Sequence, residues 1–255
     1  VLDGLARHRA TMLFGVPTMW SRLAQHVEES GATPPRLRLL VSGSAPLPSD
    51  VAAAVDRHFG QIPLERYGMT ETVMLAGNPL AGPRVPGTVG FPFEGVEIRV
   101  LDGEVQVRGP NVFRGYWRNA VATRAAFDNG WFRTGDFGEL DAEGRLTLAG
   151  RGSELILVGG YNVFPREVED ALGAAGLAAE FAVVGVPDAD LGEVVAVATT
   201  ATIAHADAAI RRLQGVLAPY KIPRRVASVP AIPRNAMGKV DRRALAALLL
   251  AQAES

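Results

Sequence analysis

The stretch Leu37–Thr72, LRLLVSGSAPLPSDVAAAVDRHFGQIPLERYGMTET, decides the fold class of this chain. Leu37–Val41 is a short apolar run that suits a buried strand, broken by the small residues Ser42-Gly43-Ser44-Ala45-Pro46. Ser49–Phe59 reads as a helix, with Ser49 or Asp50 placed to cap it. Pro63–Tyr67 reads as a second strand, followed by a turn beginning at Gly68. Strand, helix and strand in alternation argue for a layered α/β domain.

Working outward, Leu2–Arg9 and Pro17–Glu29 read as helices around a short strand at Thr11–Val16. After Asn78 the character changes. Gly and Pro crowd Asn78–Gly95, and Val96–Val100, Glu104–Arg108 and Leu146–Ala149 read as strands of a small β-rich unit starting at about residue 79. A third unit follows, with strands at Leu155–Val158, Phe181–Gly185 and Val194–Thr200. Its helices are expected at Pro165–Leu172, Ala206–Leu217 and Asp241–Gln252. The boundary is placed at Arg151–Ser153, giving domains 1–150 and 151–255.

Composition narrows the function. The 255 residues are 48% hydrophobic and 21% charged, an ordinary globular balance. Lys+Arg 26 against Asp+Glu 27 leaves no basic excess for a nucleic acid partner. There is no cysteine, which excludes disulfides, thiol catalysis and iron–sulfur clusters. The four histidines, His8, His26, His58 and His205, show no metal-ligand spacing. No apolar run approaches the roughly 20 residues of a membrane span, and no signal-peptide pattern opens the chain. These features predict a soluble, cytoplasmic protein. The chain begins with Val1 rather than Met, which suggests a piece of a longer protein. Only two of the 26 basic residues are lysine, Lys221 and Lys239, so a lysine in a distinctive context stands out.

The segment Tyr67-Gly68-Met69-Thr70-Glu71-Thr72 follows an expected strand. Tyr67 offers an aromatic face, Gly68 lets the backbone approach a ligand, Thr70 offers a hydroxyl and Glu71 a hard oxygen for a metal. Those are the parts a nucleotide with magnesium needs, although six such residues also suit an ordinary turn. In Trp131-Phe132-Arg133-Thr134-Gly135-Asp136 an acid follows a glycine turn, where it can accept ribose hydroxyls, and Arg151 can meet the same sugar or a phosphate. Gly159-Gly160-Tyr161-Asn162 leaves room against the backbone for a slender ligand, or marks a bulge. Pro233–Asp241, PRNAMGKVD, presents Lys239 behind a glycine. Other motifs fail: Asn235–Val240 lacks the P-loop's leading glycine, Gly150-Arg151-Gly152 lacks the third glycine of a dinucleotide fingerprint, and Ser42-Gly43-Ser44 has no G-x-S-x-G frame.

In this order the pieces resemble one family, the adenylate-forming acyl-CoA synthetases. The resemblance runs from VPTMWSRL (Val16–Leu23) through SGSAPL, YGMTET, GTVG (Gly87–Gly90) and RGPNVFRGYW (Arg108–Trp117). It continues through FRTGD, Gly150-Arg151 and GGYNVFPREVE (Gly159–Glu169) to PRNAMGKV, and so covers essentially the whole chain. It implies an α/β and α+β fold: the C-terminal part of the large adenylate-forming domain, with its small β-rich subdomain, then a small α+β lid domain.

The resemblance also implies roles. Gly43, Ser44 and Ala45 border adenine and the acyl pocket, with Tyr67 and Gly68 against the base. Thr70 touches the α-phosphate and Glu71 holds Mg²⁺. Asp136 and Arg151 bind ribose, and Lys239 bridges the acyl carboxylate and α-phosphate. Gly159, Gly160 and Tyr161 line the CoA path. Ser153 stands at the hinge, where the family often has Asp or Lys. The reaction implied uses ATP, Mg²⁺ and CoA to turn a small carboxylic acid into a thioester by way of an acyl-adenylate. The family's Ser/Thr/Gly-rich phosphate loop is nowhere in the sequence, so the expectation is a C-terminal half, inactive alone and completed by the N-terminal half of the same protein.

Within the family, ERYGMTE (Glu65–Glu71), Arg84-Val85-Pro86 and GGYNVFPREVE look most like the malonyl-CoA synthetase and fatty acid–CoA ligase branch. Arg66 and Met69 are the acyl-substrate candidates, since a guanidinium can bind the second carboxylate of malonate or methylmalonate bidentately. Arg66 can instead pair with Glu65 or Glu71 and never see substrate. A fatty acyl-CoA synthetase, a stand-alone adenylation module and a non-catalytic fragment that binds a partner are the other readings.

Overall fold

The computed structural model describes residues 1–235 and 238–253. It divides into two compact units, Val1–Leu148 and Ala149 onward. In the first unit, α1 (Leu2–Arg7), β1 (Met12–Gly15), α2 (Pro17–Ser30), β2 (Leu39–Ser42), α3 (Ser49–Phe59) and β3 (Leu64–Met69) precede β4 (Val73–Gly77) and β5 (Phe91–Pro92). These five strands form one sheet in chain order. β1, β2 and β3 run parallel, joined by helical crossovers, and β4 and β5 return antiparallel.

The helices follow local chemistry. Pro17 opens α2 without losing a needed donor, and Gly31 closes it at φ 63 with its N–H on Val27 O. Trp20, Leu23, Ala24 and Val27 are its buried stripe. Trp20, Leu23 and Ala24 pack with Leu40, Leu47, Ala52 and Val55. The expected cap on α3 is different in fact: Pro48 is the N-cap residue and no side chain caps the helix, while Asp50 sits in its first turn. The compensation is electrostatic, an acid beside the positive helix end.

A second sheet holds β6 (Glu97–Leu101), β7 (Glu104–Arg108), β8 (Phe127–Asp128), β9 (Trp131–Leu140) and β10 (Leu146–Arg151), with α4 (Ala120–Ala126) between β7 and β8. The order is β10-β9-β7-β6, with β8 on β9. Tyr67, Leu75, Val105, Val107, Phe132 and Leu146 form its core with the first sheet's hairpin.

The second unit is built on β13 (Phe181–Asp188) and β14 (Gly192–Thr199), after β11 (Ile156–Val158), β12 (Tyr161–Val163) and α5 (Pro165–Ala174). The elements α6 (Ile203–Arg211), β15 (Arg225–Ser228) and α7 (Arg242–Ala253) complete it. Both faces of its sheet are covered. Val183, Val195 and Val197 face Val168 and Leu172 of α5, while the alternate residues Ala182, Val184, Val194 and Ala196 face Leu245 and Leu249 of α7. Two-sided burial is why β13 and β14 read as continuous apolar runs rather than alternating ones.

The helix expected at Ala206–Leu217 lies earlier. The Thr202 hydroxyl accepts from His205 N at 3.3 Å and starts α6 at Ile203, and a turn through Gly215, at φ 80, follows it. Asp241, expected inside the last helix, is instead its cap, accepting from Ala244 N at 3.0 Å. Among the described residues no helix is long and apolar enough to cross a membrane.

Candidate active site

The first unit holds Gly43–Ala45 and Tyr67–Glu71 at the C-terminal ends of the parallel strands β2 and β3, the usual place for a ligand in such sheets, and Asp136 on the second sheet. β3 does not turn at Gly68 as the sequence suggests. It continues to Met69, and the turn is Thr70-Glu71-Thr72, leading into β4. The register shifts between Tyr67 and Gly68, and a side chain at 68 would collide with the Val73 carbonyl. Gly68 therefore serves close strand approach before it serves any ligand.

Tyr67 and Asp136 meet. The buried Tyr67 hydroxyl donates to Asp136 Oδ2 at 2.5 Å, although the two are 69 positions apart. The segment FRTGD is no loop but the middle of β9. Glu104 faces Phe137 while Gln106 faces Arg133, so β9 carries extra residues there, with Gly135 at φ 71. That bulge re-aims Asp136, and Thr134 Oγ1 holds it by accepting the Asp136 N–H at 3.0 Å.

Thr70 is exposed and Glu71 half-buried at the hairpin tip. The segment after β7 folds over this tip. Tyr116 donates its hydroxyl to Glu71 Oε1 at 3.2 Å, and Asn111 Nδ2 donates to Thr72 O at 2.7 Å and Met74 O at 3.0 Å. A Mg²⁺ ion is usually held by one or two carboxylates together with substrate phosphates. Glu71 suits that role, because its second carboxylate oxygen has no partner among the described residues. No cluster of three or more acids and histidines suited to a metal occurs among them.

Glu65 does not pair with Arg66 as considered from sequence. It is buried, and its carboxylate accepts from Leu47 N at 3.0 Å and Gly87 N at 3.3 Å. It thereby ties the Ser42–Leu47 loop and the Gly87–Gly90 loop to β3, a bracing role that sequence reasoning missed. Asn78 and Arg84 extend the brace: Asn78 Nδ2 donates to Thr88 O at 2.8 Å and Arg84 Nη1 to Ile62 O at 2.5 Å. Burial lowers the pKa of Arg84. In the braced loop Gly43 is buried, while Ser44, at φ 71, and Ala45 are exposed.

Arg66 is left without a carboxylate among the described residues. Its Nη1 lies 2.8 Å from Met74 Sδ, its guanidinium sits 5.9 Å from the Phe14 ring centroid, and its buried Nε has no partner. Gly43, just after β2, leaves space beside it, since a Cβ there would lie 3.5 Å from Arg66 Cγ. Met69 packs on the cluster of Tyr67, Leu75 and Phe132.

The second unit carries the remaining candidates. Arg151 ends β10 and is exposed, and Ser153 lies in a single 3₁₀ turn, Gly152–Glu154. Gly159 and Gly160, at φ 57 and 87, form the two-residue loop of the β11–β12 hairpin. Both central residues at positive φ give a turn whose twist matches the strands, which explains two glycines there without a ligand. Tyr161 is exposed and stacks on Tyr220, with centroids 4.5 Å apart. Lys239 is exposed on the loop before α7. Ala236 and Met237 of the PRNAMGKV motif lie outside the described residues.

Arg242, the first residue of α7, pairs with Glu169 at 2.8 Å and Glu154 at 3.2 Å. Burial pulls its pKa down, but the charges and hydrogen bonds of these two acids more than offset that and leave it raised. The pairing fixes Glu154, next to Ser153, to the body of the second unit.

A family model described as AMP-binding enzyme matches residues 1–117, and one described as AMP-binding enzyme C-terminal domain matches residues 167–239. The chain belongs to the AMP-binding enzyme family. Among its relatives, a malonate–CoA ligase of Arabidopsis thaliana is 38% identical over 279 residues, covering 96% of this chain and 45% of that protein. A probable CoA ligase of Humulus lupulus is 38% identical, covering 92% and 44%. The crystal structure of ATP-bound MatB from Rhodopseudomonas palustris is 41% identical, with a TM-score of 0.85, covering 97% of this chain and 52% of that one. The mixed α/β architecture is that of these AMP-binding enzymes. The chain spans about half the length of the relatives it matches.

Proposed function

We propose that this AMP-binding chain serves an ATP-dependent acid–CoA ligase. In the first half-reaction the acid's carboxylate attacks the α-phosphorus of ATP, giving an acyl-adenylate and diphosphate. In the second the CoA thiol displaces AMP to give the thioester. The observation that supports this reading is the Tyr67–Asp136 hydrogen bond, which brings together, across 69 positions, an aromatic ring suited to a base and an acid suited to ribose hydroxyls.

In this reading Tyr67 lies against the base, with Gly68 beside it, while Gly43, Ser44 and Ala45 border adenine and the acyl pocket. Asp136 and Arg151 bind the sugar, the carboxylate accepting from its hydroxyls and the guanidinium donating to its oxygens, and Thr70 donates to the α-phosphate. Glu71 would hold Mg²⁺, which when bound offsets phosphate charge. Lys239 contributes a cation for the charge that builds as the carboxylate attacks. Gly159, Gly160 and Tyr161 serve the CoA path, and Ser153 the hinge.

The acid proposed is a short dicarboxylate, malonate or methylmalonate. The support is Arg66: a half-buried guanidinium with an orphaned Nε and no carboxylate partner among the described residues is costly unless a substrate anion completes it. A fatty acyl chain would meet that charge with methylenes. The test uses the complete product of the encoding gene, comparing malonate, methylmalonate and C8–C16 fatty acids for AMP and thioester formation in wild type and Arg66→Ala. The expected result is a loss of about 10²-fold or more in kcat/KM for malonate, the size of about 3 kcal/mol. Activity on fatty acids with Arg66→Ala unchanged would retain the ligase and remove the dicarboxylate.

A further inference from the structure

We propose that Arg234 is the positioning residue for Lys239, an inference that rests on the ligase reading above. Lys239 carries its ammonium on a flexible four-carbon stem, so its reach is set by the backbone that bears it. That backbone is closed on itself through Asn235. Asn235 N donates to Lys239 O at 2.8 Å, Lys239 N donates to Asn235 Oδ1 at 3.0 Å, and Gly238 N donates to Asn235 O at 2.9 Å. A loop closed only on itself can still swing as a unit.

Arg234 stops the swing. It sits at the loop's base, bridged to Val240 on the other side. Its Nη1 donates to Gly238 O at 2.9 Å, the carbonyl immediately before Lys239, and its Nη2 pairs with Glu180 at 2.5 Å. Glu180 leads into β13, and its own carbonyl accepts from Thr200 N at 2.8 Å, beyond the end of β14. One planar guanidinium thus spans the lysine loop and the central sheet. Gly238, at φ 78, takes the left-handed conformation in this loop. On the far side Asp241 N donates to Pro233 O at 2.9 Å. The planar fork matters because two acceptors must be met at once, which a lysine ammonium does less well.

The inference separates two half-reactions. Adenylation uses the Lys239 ammonium, and thioester formation from a ready-made acyl-adenylate does not. In the complete gene product, Arg234→Ala is expected to lower kcat for ATP–diphosphate exchange by about 10- to 100-fold, as small misplacements of a reacting group do. The KM for ATP and the rate of CoA attack on supplied acyl-adenylate are expected to stay within about three-fold. Arg234→Lys should recover only part of the loss, and Glu180→Gln should show a smaller loss confined to adenylation. Lys239→Ala runs beside them. If Lys239→Ala abolishes exchange while Arg234→Ala leaves it intact, the positioning role is overturned. If Arg234→Ala lowers both half-reactions equally together with the melting temperature, its role is structural and the proposal is likewise overturned. If Lys239→Ala itself leaves exchange intact, the ligase reading of this loop fails first.

Discussion

Replacing Lys239 by alanine is expected to lower adenylate formation in the complete gene product by about 10²–10³-fold, the usual size for loss of a single charge-stabilising group at a transition state. The loop carrying it is exposed, and no acid pairs with Lys239 among the described residues, so its removal leaves no buried partner unsatisfied. Stability should therefore change little, within about 0.5 kcal/mol as for other surface substitutions. Lys221 is the internal control. It pairs with Glu167 at 2.5 Å, and Lys221→Ala should leave adenylation unchanged. Diphosphate release at saturating acid checks both variants. Equal losses from the two lysines would remove the special place given to Lys239.

Gly68→Ala is expected to produce the largest loss of stability. A Cβ there overlaps the Val73 carbonyl and crowds Met74 Cα, both backbone atoms of the paired strand, so no side chain can swing aside. Relief requires the β3–β4 hairpin to part, which also displaces the Thr70–Thr72 turn and the Asn111 bonds over it. The cost is expected at about 3 kcal/mol or more, the upper end of what single substitutions do. All three tryptophans, Trp20, Trp117 and Trp131, lie in the first unit, so intrinsic fluorescence follows that unit in the 255-residue chain. The urea midpoint should drop by more than about 1 M. A change below ~0.2 M would show that the hairpin accommodates the methyl, and Gly68 would then owe its place to a ligand.

Much of the fold was legible because burial leaves period-bearing runs. Glu104–Arg108 was read at its observed limits, and α2 and α3 fell within a residue of theirs, since proline openings and glycine closures are local signals. The misses have two causes. The turn after Tyr67 was placed too early because glycine was taken as a turn residue, whereas it serves close strand contact. FRTGD hid a ten-residue strand because its glycine marks a bulge within continuous pairing. β12 and β15 were missed because each is only three or four residues long.

For the site, the residues were legible but their partners were not. Tyr67 and Asp136 could be suspected separately, yet nothing local announces a hydrogen bond across 69 positions. Glu65 looked like a partner for Arg66, and the structure spends its carboxylate on two backbone amides of separate loops. Neighbours in a strand point to opposite faces, so adjacency in sequence argued against the pairing from the start.

The proposed ligase function requires the complete gene product to activate a carboxylic acid as its adenylate. The most direct measurement is diphosphate release from ATP by the complete gene product in the absence of CoA, with malonate or octanoate supplied, and mass spectrometry of the bound product. Diphosphate release with malonate is expected, together with a bound species of the mass of malonyl-adenylate that is discharged to malonyl-CoA when CoA is added. Absence of diphosphate release and of any adenylate with every acid tried would overturn the ligase reading and leave a chain of the AMP-binding enzyme family that does not activate acids.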